Sequence, residues 1–190
     1  MPAIETRMLS GPVQIEDGRL IGHAAVFGSR SADLGGFVEV VQPQAFRRSL
    51  ETGRDIVATI DHDTSRLLGR TSAGTVAVTV DNHGLRYDIQ LPDTQYARDL
   101  AALVKRGDIR GSSFAFRVGQ EGQRWVNDSG VAVRELLDVD LVDVSVVVNP
   151  AYPAANDVAL RSLDEWQQAD GLVAVRARNA ARIRLLSLAG

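Results

Sequence analysis

The feature that most constrains the fold is a series of short, strand-like segments that fills most of the first 160 or so residues. Each segment is apolar and rich in β-branched residues, and turn-forming residues separate it from the next. Asp81-Asn82-His83-Gly84 joins two of them and is a strong hairpin-turn signal. The segments are LIGHAAVF (20–27), GFVEVVQ (36–42), DIVATI (55–60), GTVAVTV (74–80), GLRYDIQL (84–91), SSFAFRV (112–118) and a longer run at about 133–148. This pattern predicts a β-rich α+β fold with roughly seven, mostly antiparallel strands in a closed or nearly closed barrel.

Two segments between these strands have helical patterns instead. PQAFRRSLETG (43–53) has a proline at its start and a glycine at its end, the usual asymmetry of a helix. In DTQYARDLAALVKRG (93–107) apolar residues recur at helical spacing, and Gly107 follows the last turn. Asp93 or Thr94 is the expected N-cap of this second helix. The segments together predict a barrel surrounded by a few helices.

The character of the sequence changes after PAYPAANDVALRSL (150–163). Residues 164–188 are rich in helix-favouring alanine, leucine, arginine and glutamine, and Gly171 is the weak point of the predicted helix. A length of 190 residues suits one domain with an extension. We therefore predict a single domain over residues 1–161 and a C-terminal helical extension over residues 162–190.

The composition excludes several kinds of site. The chain has no cysteine, so disulfides, thiol catalysis and thiolate metal sites are excluded, and a covalent nucleophile must be Ser, Thr, Lys or a carboxylate. No metal-binding, Walker or dinucleotide motif is present, and no cofactor is expected. A net charge of -3 gives no reason to expect nucleic acid or an anionic membrane as a partner. The lack of a signal peptide and of any apolar run near the roughly 20 residues that span a bilayer favours a cytoplasmic site of action.

One of the three histidines stands at a position that suits catalysis. His62 ends the apolar strand DIVATI and begins a polar loop, and catalytic groups gather where a rigid element presents a side chain to a cleft. A solvent-facing strand end is the simpler alternative. His83 lies inside a hairpin turn, where polar residues are solvated, and His23 lies between small residues in a strand, as a structural histidine would. His62 is therefore the candidate catalytic base.

A candidate nucleophile lies in RGDIRGSSFAFRV (106–118), which runs from a helix end through a glycine turn into a strand. Because side chains alternate along a strand, Ser112 shares one face with two phenylalanines and Ser113 lies on the other. The phenylalanines anchor the first face in the core. Ser113 then opens to the opposite side beside the small Ala115, where another chain has room to approach. A polar residue at the start of a strand is the alternative interpretation.

The run RELLDVDLVDVSVVVNP (134–150) adds a candidate acid. Leucines and valines alternate with Asp138 and Asp140, as in a strand with one buried face. Continuing this period of two puts Asp143 and Ser145 on the apolar face. A carboxylate there is costly unless a partner hydrogen-bonds to it, so Asp143 is expected to have one.

Together, the three candidates have the composition of a serine hydrolase centre. A histidine held by a buried aspartate, and itself next to a serine, is the geometry of such an enzyme. The chain order His62, Ser113, Asp143 matches neither the chymotrypsin nor the subtilisin order, but the triad is defined by roles rather than by order.

Six segments stand in series along the chain: GHAAVF, GGFVEVVQPQAF, IDHD followed by LLGRTSAGTVAV, GL with LPDT, RGDIRGSSFAF and LVDVSVVVNPAYP. Together they resemble the prohead (procapsid maturation) proteases of tailed double-stranded DNA phages, over about residues 20–161. Those proteases are distantly similar to the herpesvirus assemblins, which are serine proteases built on a seven-stranded barrel wrapped by helices. The resemblance implies an assemblin-like fold for this chain, with residues 1–161 as the prohead protease domain.

The resemblance also implies roles for the three candidates. His62 matches the family's Asn-His-Asp position, although Asp61 stands where asparagine is common. Ser113 matches the serine of the family's Ser-Phe-Gly-Phe, with Ser112 as an extra neighbour. Asp143 stands where relatives more often carry glutamate.

The implied function is a serine endopeptidase that cleaves scaffold and capsid-protein segments, and itself, during procapsid maturation. The implied partners are the major capsid protein and its scaffolding segment, with self-association as a further option. The implied location is the assembling procapsid in the host bacterial cytoplasm. A non-catalytic capsid-assembly or scaffolding module on the same fold is the alternative.

Overall fold

The computed structural model describes residues 2–119, 121–148 and 159–171, and short strands dominate these ranges. The strands are β1 (Glu5–Ser10), β2 (Gln14–Glu16), β3 (Arg19–Val26), β4 (Phe37–Val41), β5 (Val57–Ile60), β6 (Asp63–Arg70), β7 (Val76–Val80), β8 (Gly84–Gln90), β9 (Gly111–Val118), β10 (Gln123–Asp128), β11 (Val131–Leu136) and β12 (Val139–Val147). The helices are α1 (Arg47–Glu51), α2 (Gln95–Arg106) and α3 (159–171), with a 3-10 turn at Thr71–Ala73. The predicted β-rich character is confirmed.

The strands of the described ranges form three sheets, and none of these closes into a barrel. Sheet 1 has the order β1-β9-β12-β5-β6, sheet 2 the order β10-β11-β4, and sheet 3 the order β2-β3-β8-β7. The pairs β4–β11 and β5–β12 are parallel, and the other strand pairs of these sheets are antiparallel. The predicted antiparallel majority is therefore found, but the predicted closed or nearly closed barrel of roughly seven strands is not confirmed, because the described strands form three separate sheets.

Part of the difference between the predicted barrel and the observed sheets comes from the run at about 133–148, where the sequence has one continuous strand pattern. This run divides into β11 and β12, because the N–H groups of Leu137 and Asp138 donate to the carbonyl of Gly122 (2.8 and 3.1 Å). β11 joins sheet 2 and β12 joins sheet 1. The sequence pattern also fails to predict β1, β2, β6 and β10, since each is short or mixes polar with apolar residues.

Both internal helices are present with shorter bounds than predicted. α1 covers only the middle of the predicted 43–53 segment. α2 begins after Thr94 and ends before Gly107. The positive φ of Gly107 (82°) lets its N–H reach the carbonyls of Leu103 and Val104, as a helix-ending glycine does.

The chain divides into two compact units, Met1–Ala154 and Ala155–Gly190. α3 belongs to the second unit, and the part of the predicted 164–188 helix beyond residue 171 lies outside the described residues. The domain boundary predicted at residue 161 stays a prediction. No helix within the described ranges is long and apolar enough to cross a membrane. The site described below lies wholly in the first unit.

The side of β9 that carries two phenylalanines faces the core. The Phe114 ring meets Phe46 edge-on at 5.4 Å between centroids and stacks on Phe116 at 5.0 Å. All three rings are at most 2% exposed. Aromatic burial on this scale fixes the orientation of the strand, and so fixes which of its residues face the other way.

Four buried charged residues, here called the ionic cluster, attach β1 to sheet 2. Arg7 donates to both carboxylate oxygens of Glu39 (2.7 and 2.8 Å), and Arg134 donates to both oxygens of Glu5 (2.6 and 2.9 Å). Bonds from Arg7 to Glu5 (2.9 Å) and from Arg134 to Glu39 (3.0 Å) join the two pairs. Burial alone would raise the pKa of Glu5, but the bonds and charges of Arg134 and Arg7 outweigh it and hold that pKa below its ordinary value.

Candidate active site

His62 occupies the second position of a two-residue hairpin turn. β5 ends at Ile60, β6 begins at Asp63, and these two residues are paired. The turn residues Asp61 and His62 have positive φ (52° and 58°), as the common two-residue hairpin turn requires. Aspartate, asparagine and histidine are the non-glycine residues most enriched in this conformation. The IDHD pattern is therefore a hairpin signal that also places a histidine at the end of a strand.

The aspartates on either side of His62 bond to groups other than its ring. Asp61 Oδ1 accepts a hydrogen bond from the N–H of Val148 (3.1 Å). Asp63 Oδ1 accepts from the hydroxyl and the N–H of Ser65 (2.7 and 2.9 Å), and these bonds hold the pKa of Asp63 below its ordinary value. Both carboxylates thus stabilise the loop around the turn.

Ser113 lies in the middle of sheet 1. β9 runs between β1 and β12, and Ser113 is paired with Met8 on one side and with Ser145 on the other. The neighbouring Ser112 contacts Tyr87 instead, with 2.7 Å between the two hydroxyl oxygens. The two serines thus have different partners, as the alternation along β9 predicts. Ser113 is 0% exposed, however, so the expected open space beside it is not found.

A β-bulge brings Asp143 to the face that carries the candidate nucleophile. Leu141 pairs with Phe116, whereas Asp143 pairs with Ala115, so Val142 is the extra residue of the bulge. Facing residues of antiparallel strands lie on the same side of a sheet. Asp143 therefore shares the face of Ala115, opposite Phe116. The expectation that Asp143 shares a face with Leu141 is wrong, because the period of two breaks at the bulge.

The structure brings all three candidate residues together. The Nδ1 atom of His62 lies 2.7 Å from Asp143 Oδ1, and the Nε2 atom lies 2.7 Å from Ser113 Oγ. The side chains of His62 and Asp143 are 19% and 12% exposed, so water screens their interaction only weakly. A histidine with an aspartate at one ring nitrogen and a serine at the other can move a proton away from the serine.

The nucleophile candidate has a second close neighbour, the backbone of β1. Ser113 Oγ lies 2.8 Å from the carbonyl oxygen of Arg7, within range to donate to it. The side chain of Arg7 belongs to the ionic cluster, which therefore holds this carbonyl in place. Sequence reasoning missed this contact, since β1 is not predicted and its buried charges give no local signal.

The other two histidines lie together at a different place. His23 Nε2 is 2.8 Å from Asp81 Oδ2, and the rings of His23 and His83 meet edge-on at 4.8 Å. The bond with His23, together with backbone bonds from the turn, lowers the pKa of Asp81 to about 2. His83 also lies in that hairpin turn, so neither histidine is part of the candidate site.

The chain is similar to a known protein family and to a solved structure. The family profile described as caudovirus prohead serine protease matches residues 5–169. No curated protein matches the chain. The solved structure of the bacteriophage T4 capsid assembly protease gp21 is similar, with a TM-score of 0.54 and 10% identity over 78% of this chain and 99% of that chain. At this identity the likeness shows the fold alone.

The family match covers most of the chain, including β1, the hairpin turn, β9 and β12. It therefore includes every element that contributes to the candidate site. It favours a protease over the non-catalytic assembly module that the sequence left open. The chain belongs to the caudovirus prohead serine proteases.

Proposed function

We propose that the chain is a capsid-maturation endopeptidase in which Ser113 is the nucleophile, His62 the general base and Asp143 the group that orients the base. The observation that carries this proposal is the pair of 2.7 Å distances from the two ring nitrogens of His62. Both lie in the range expected when a nucleophile, its base and an orienting group act together. Family membership supports the serine-protease class independently.

The chemistry follows from these contacts. Asp143 accepts a hydrogen bond from the Nδ1–H of His62, which leaves Nε2 free to accept a proton. Ser113 Oγ attacks the carbonyl carbon of a peptide bond, and its proton passes to Nε2. The C–N bond then breaks, the amine leaves with that proton, and an ester on Ser113 remains. Water, deprotonated by the same nitrogen, hydrolyses the ester. Asp143 stabilises the imidazolium at both steps, and general base catalysis of this kind contributes about 10²–10⁴-fold.

The proposed substrates are segments of the scaffold and of the capsid protein, and the chain itself. The family is a prohead protease family, and the similar T4 protein is a capsid assembly protease. These two findings support action inside the assembling procapsid, in the host bacterial cytoplasm. The major capsid protein and its scaffolding segment are then the partners, and self-association is a further proposal.

Paired serine variants test the nucleophile. The protein is co-expressed with its capsid protein, cleavage products are weighed by mass spectrometry, and a covalent serine probe is applied to the purified chain. We expect Ser113→Ala to lose both cleavage and labelling, and Ser112→Ala to keep most of each, because Ser112 bonds to Tyr87 and not to His62. Labelling and cleavage that survive in Ser113→Ala but not in Ser112→Ala would overturn the assignment.

Paired histidine variants test the base. His62→Ala should be inactive, and His83→Ala should cleave at close to the wild-type rate, because His83 contacts neither Ser113 nor Asp143. Comparable losses in both variants would point to a second catalytic histidine and would remove Asp143 from the proposed triad.

A further inference from the structure

A buried hydroxyl lies at the junction of the His62 turn and Asp143. Ser145 is 1% exposed, and its Oγ lies 2.6 Å from Thr59 Oγ1 and 3.4 Å from Asp143 Oδ1. The same oxygen lies 3.2 Å from the backbone nitrogen of His62 and 3.3 Å from the Nδ1 atom of its ring. Ser145 and Thr59 are direct partners in the parallel pairing of β12 and β5. One oxygen atom therefore lies within bonding distance of both the backbone of the proposed base and the carboxylate proposed to orient it.

We propose that Ser145, supported by Thr59, is a positioning residue that fixes His62 and Asp143 relative to each other and to Ser113. This inference rests on the catalytic roles proposed above. Ser145 acts through the proposed base and acid, and the bonds of its hydroxyl go to Thr59, His62 and Asp143.

The neighbours of Ser145 permit an arrangement in which the Nδ1–H of His62 donates to Asp143, its nearer acceptor, and the Ser145 hydroxyl serves the remaining groups. The hydroxyl has one proton to donate and two lone pairs to accept with. It accepts from the N–H of His62 and from the hydroxyl of Thr59, and its own proton then points to Asp143 Oδ1. A charged acceptor makes the stronger hydrogen bond, which favours this direction over donation to Thr59. The result is a hydrogen-bond chain that runs from the Thr59 hydroxyl through the Ser145 hydroxyl to the Asp143 carboxylate.

The position of His62 makes such a support useful. Its positive φ (58°) is a costly backbone conformation for a non-glycine residue, and such residues are retained only where surrounding contacts define them. The Ser145 hydroxyl is one of those contacts, since it binds the N–H of this residue. A displacement of about 1 Å in a catalytic group can cost about 10²-fold in rate. Loss of the hydroxyl should therefore affect the chemical step more than substrate binding.

The alternative is that Ser145 merely satisfies its buried neighbours, as many serines in strands do. A structural role of that kind lowers stability but leaves the kinetic constants of the folded enzyme unchanged. Ser112 provides the matched control, because it is also 1% exposed, lies in the same sheet and bonds to a single hydroxyl, that of Tyr87.

The test compares Ser145→Ala with Ser112→Ala on a peptide substrate taken from the cleavage sites found by co-expression. We expect Ser145→Ala to lower kcat by about 10- to 100-fold, with KM changed by less than about twofold. Ser112→Ala should lose comparable thermal stability and keep its kcat. Proton NMR provides a readout without substrate: the low-field Nδ1–H signal of His62 should shift or broaden in Ser145→Ala only. Equal kcat values and an unchanged signal in the two variants would refute the proposal.

Thr59 provides a second pair in case Ser145→Ala does not fold. Thr59→Val removes the hydroxyl but keeps the shape, and Thr59→Ser keeps the hydroxyl. We expect a several-fold lower kcat for Thr59→Val and near wild-type kcat for Thr59→Ser, and equal values would overturn the inference. An active Ser113→Ala would defeat the proposed function itself, whereas an inactive Ser113→Ala with a fully active Ser145→Ala would defeat only this inference.

Discussion

Replacing Arg134 with methionine should destabilise the protein severely, because it leaves buried carboxylates with too few partners. Arg134 donates two hydrogen bonds to Glu5 and one to Glu39, at 2.6 to 3.0 Å. Without it the ionic cluster changes from neutral to a net charge of one negative unit, and Glu5 keeps only one bond, from Arg7. Breaking a buried ion pair by removing one partner costs about 3–5 kcal/mol. That is a large part of the roughly 5–15 kcal/mol by which proteins are stable.

The loss should also depend on pH, with a definite sign. A buried carboxylate that loses its partner takes up a proton rather than stay charged, so Glu5 in Arg134→Met should bind a proton when the protein folds. A group whose folded pKa is raised contributes stability below its unfolded pKa and loses it as the pH rises. The free energy of unfolding of Arg134→Met should therefore lie closer to that of the wild type near pH 4 than near pH 8.

Urea unfolding at several pH values measures both effects. Trp125, which is paired with Arg134 in β10–β11 and packs on Phe37, is a suitable fluorescent probe. Arg30→Met is the control, because the Arg30 side chain is 49% exposed and its partner is 52% exposed, so this pair contributes only about 0–1 kcal/mol. The ionic cluster does not hold β1 as argued if Arg134→Met lowers the free energy of unfolding no more than Arg30→Met does. The same conclusion follows if the loss in Arg134→Met is the same at every pH.

Three further predictions concern the site and its surroundings. Asp143→Asn should lower kcat by about 10⁴-fold, because it favours the wrong imidazole tautomer. Asp140→Asn should lower kcat little, because that carboxylate bonds to Arg48 and not to His62. Cleavage assays that give the reverse order would move the proposed acid to Asp140. Asp61→Asn should keep activity and thermal stability. Asp61→Val should lower the free energy of unfolding by about 1–2 kcal/mol, because a β-branched residue resists the positive φ of this position. Equal melting temperatures for the two variants would contradict this. Burial raises the pKa of Tyr87 to about 12, so this side chain ionises in the unfolded chain before it ionises in the folded protein. The free energy of unfolding should therefore fall as the pH rises above about 10. Urea unfolding at alkaline pH measures this fall, and an unchanged midpoint between pH 10 and 12 would contradict the prediction.

The sequence predicts the three candidate site residues because each stands at a local signal. The Asp-His turn is visible as the end of an apolar strand, and the serine stands beside two core phenylalanines. Asp143 is predicted from a period of two that breaks at Val142. Asp143 still contacts His62, because a carboxylate among apolar residues needs a partner on either face. The bulge has a signal in the sequence, because two apolar residues, Leu141 and Val142, interrupt the alternation of polar and apolar residues there.

The strand β1 and its charges could not be predicted, for a different physical reason. Glu5 and Arg7 look like exposed residues, and they are buried only because their partners Glu39 and Arg134 come from distant strands. The failure of the barrel to close has a similar origin. Local patterns show which segments are strands, but the division of one run between two sheets depends on where its backbone groups find partners.

The contact between Ser113 and β1 has a consequence for the resting enzyme. The serine has one hydroxyl proton and two acceptors in reach, His62 Nε2 at 2.7 Å and the Arg7 carbonyl at 2.8 Å. When the proton points to His62, it lies where the proposed base can take it up. When it points to Arg7, the proton is directed away from Nε2, and the proposed base cannot take it up. The two forms share every heavy-atom position, so the rotation of a single hydroxyl decides whether the proposed nucleophile is in contact with the proposed base.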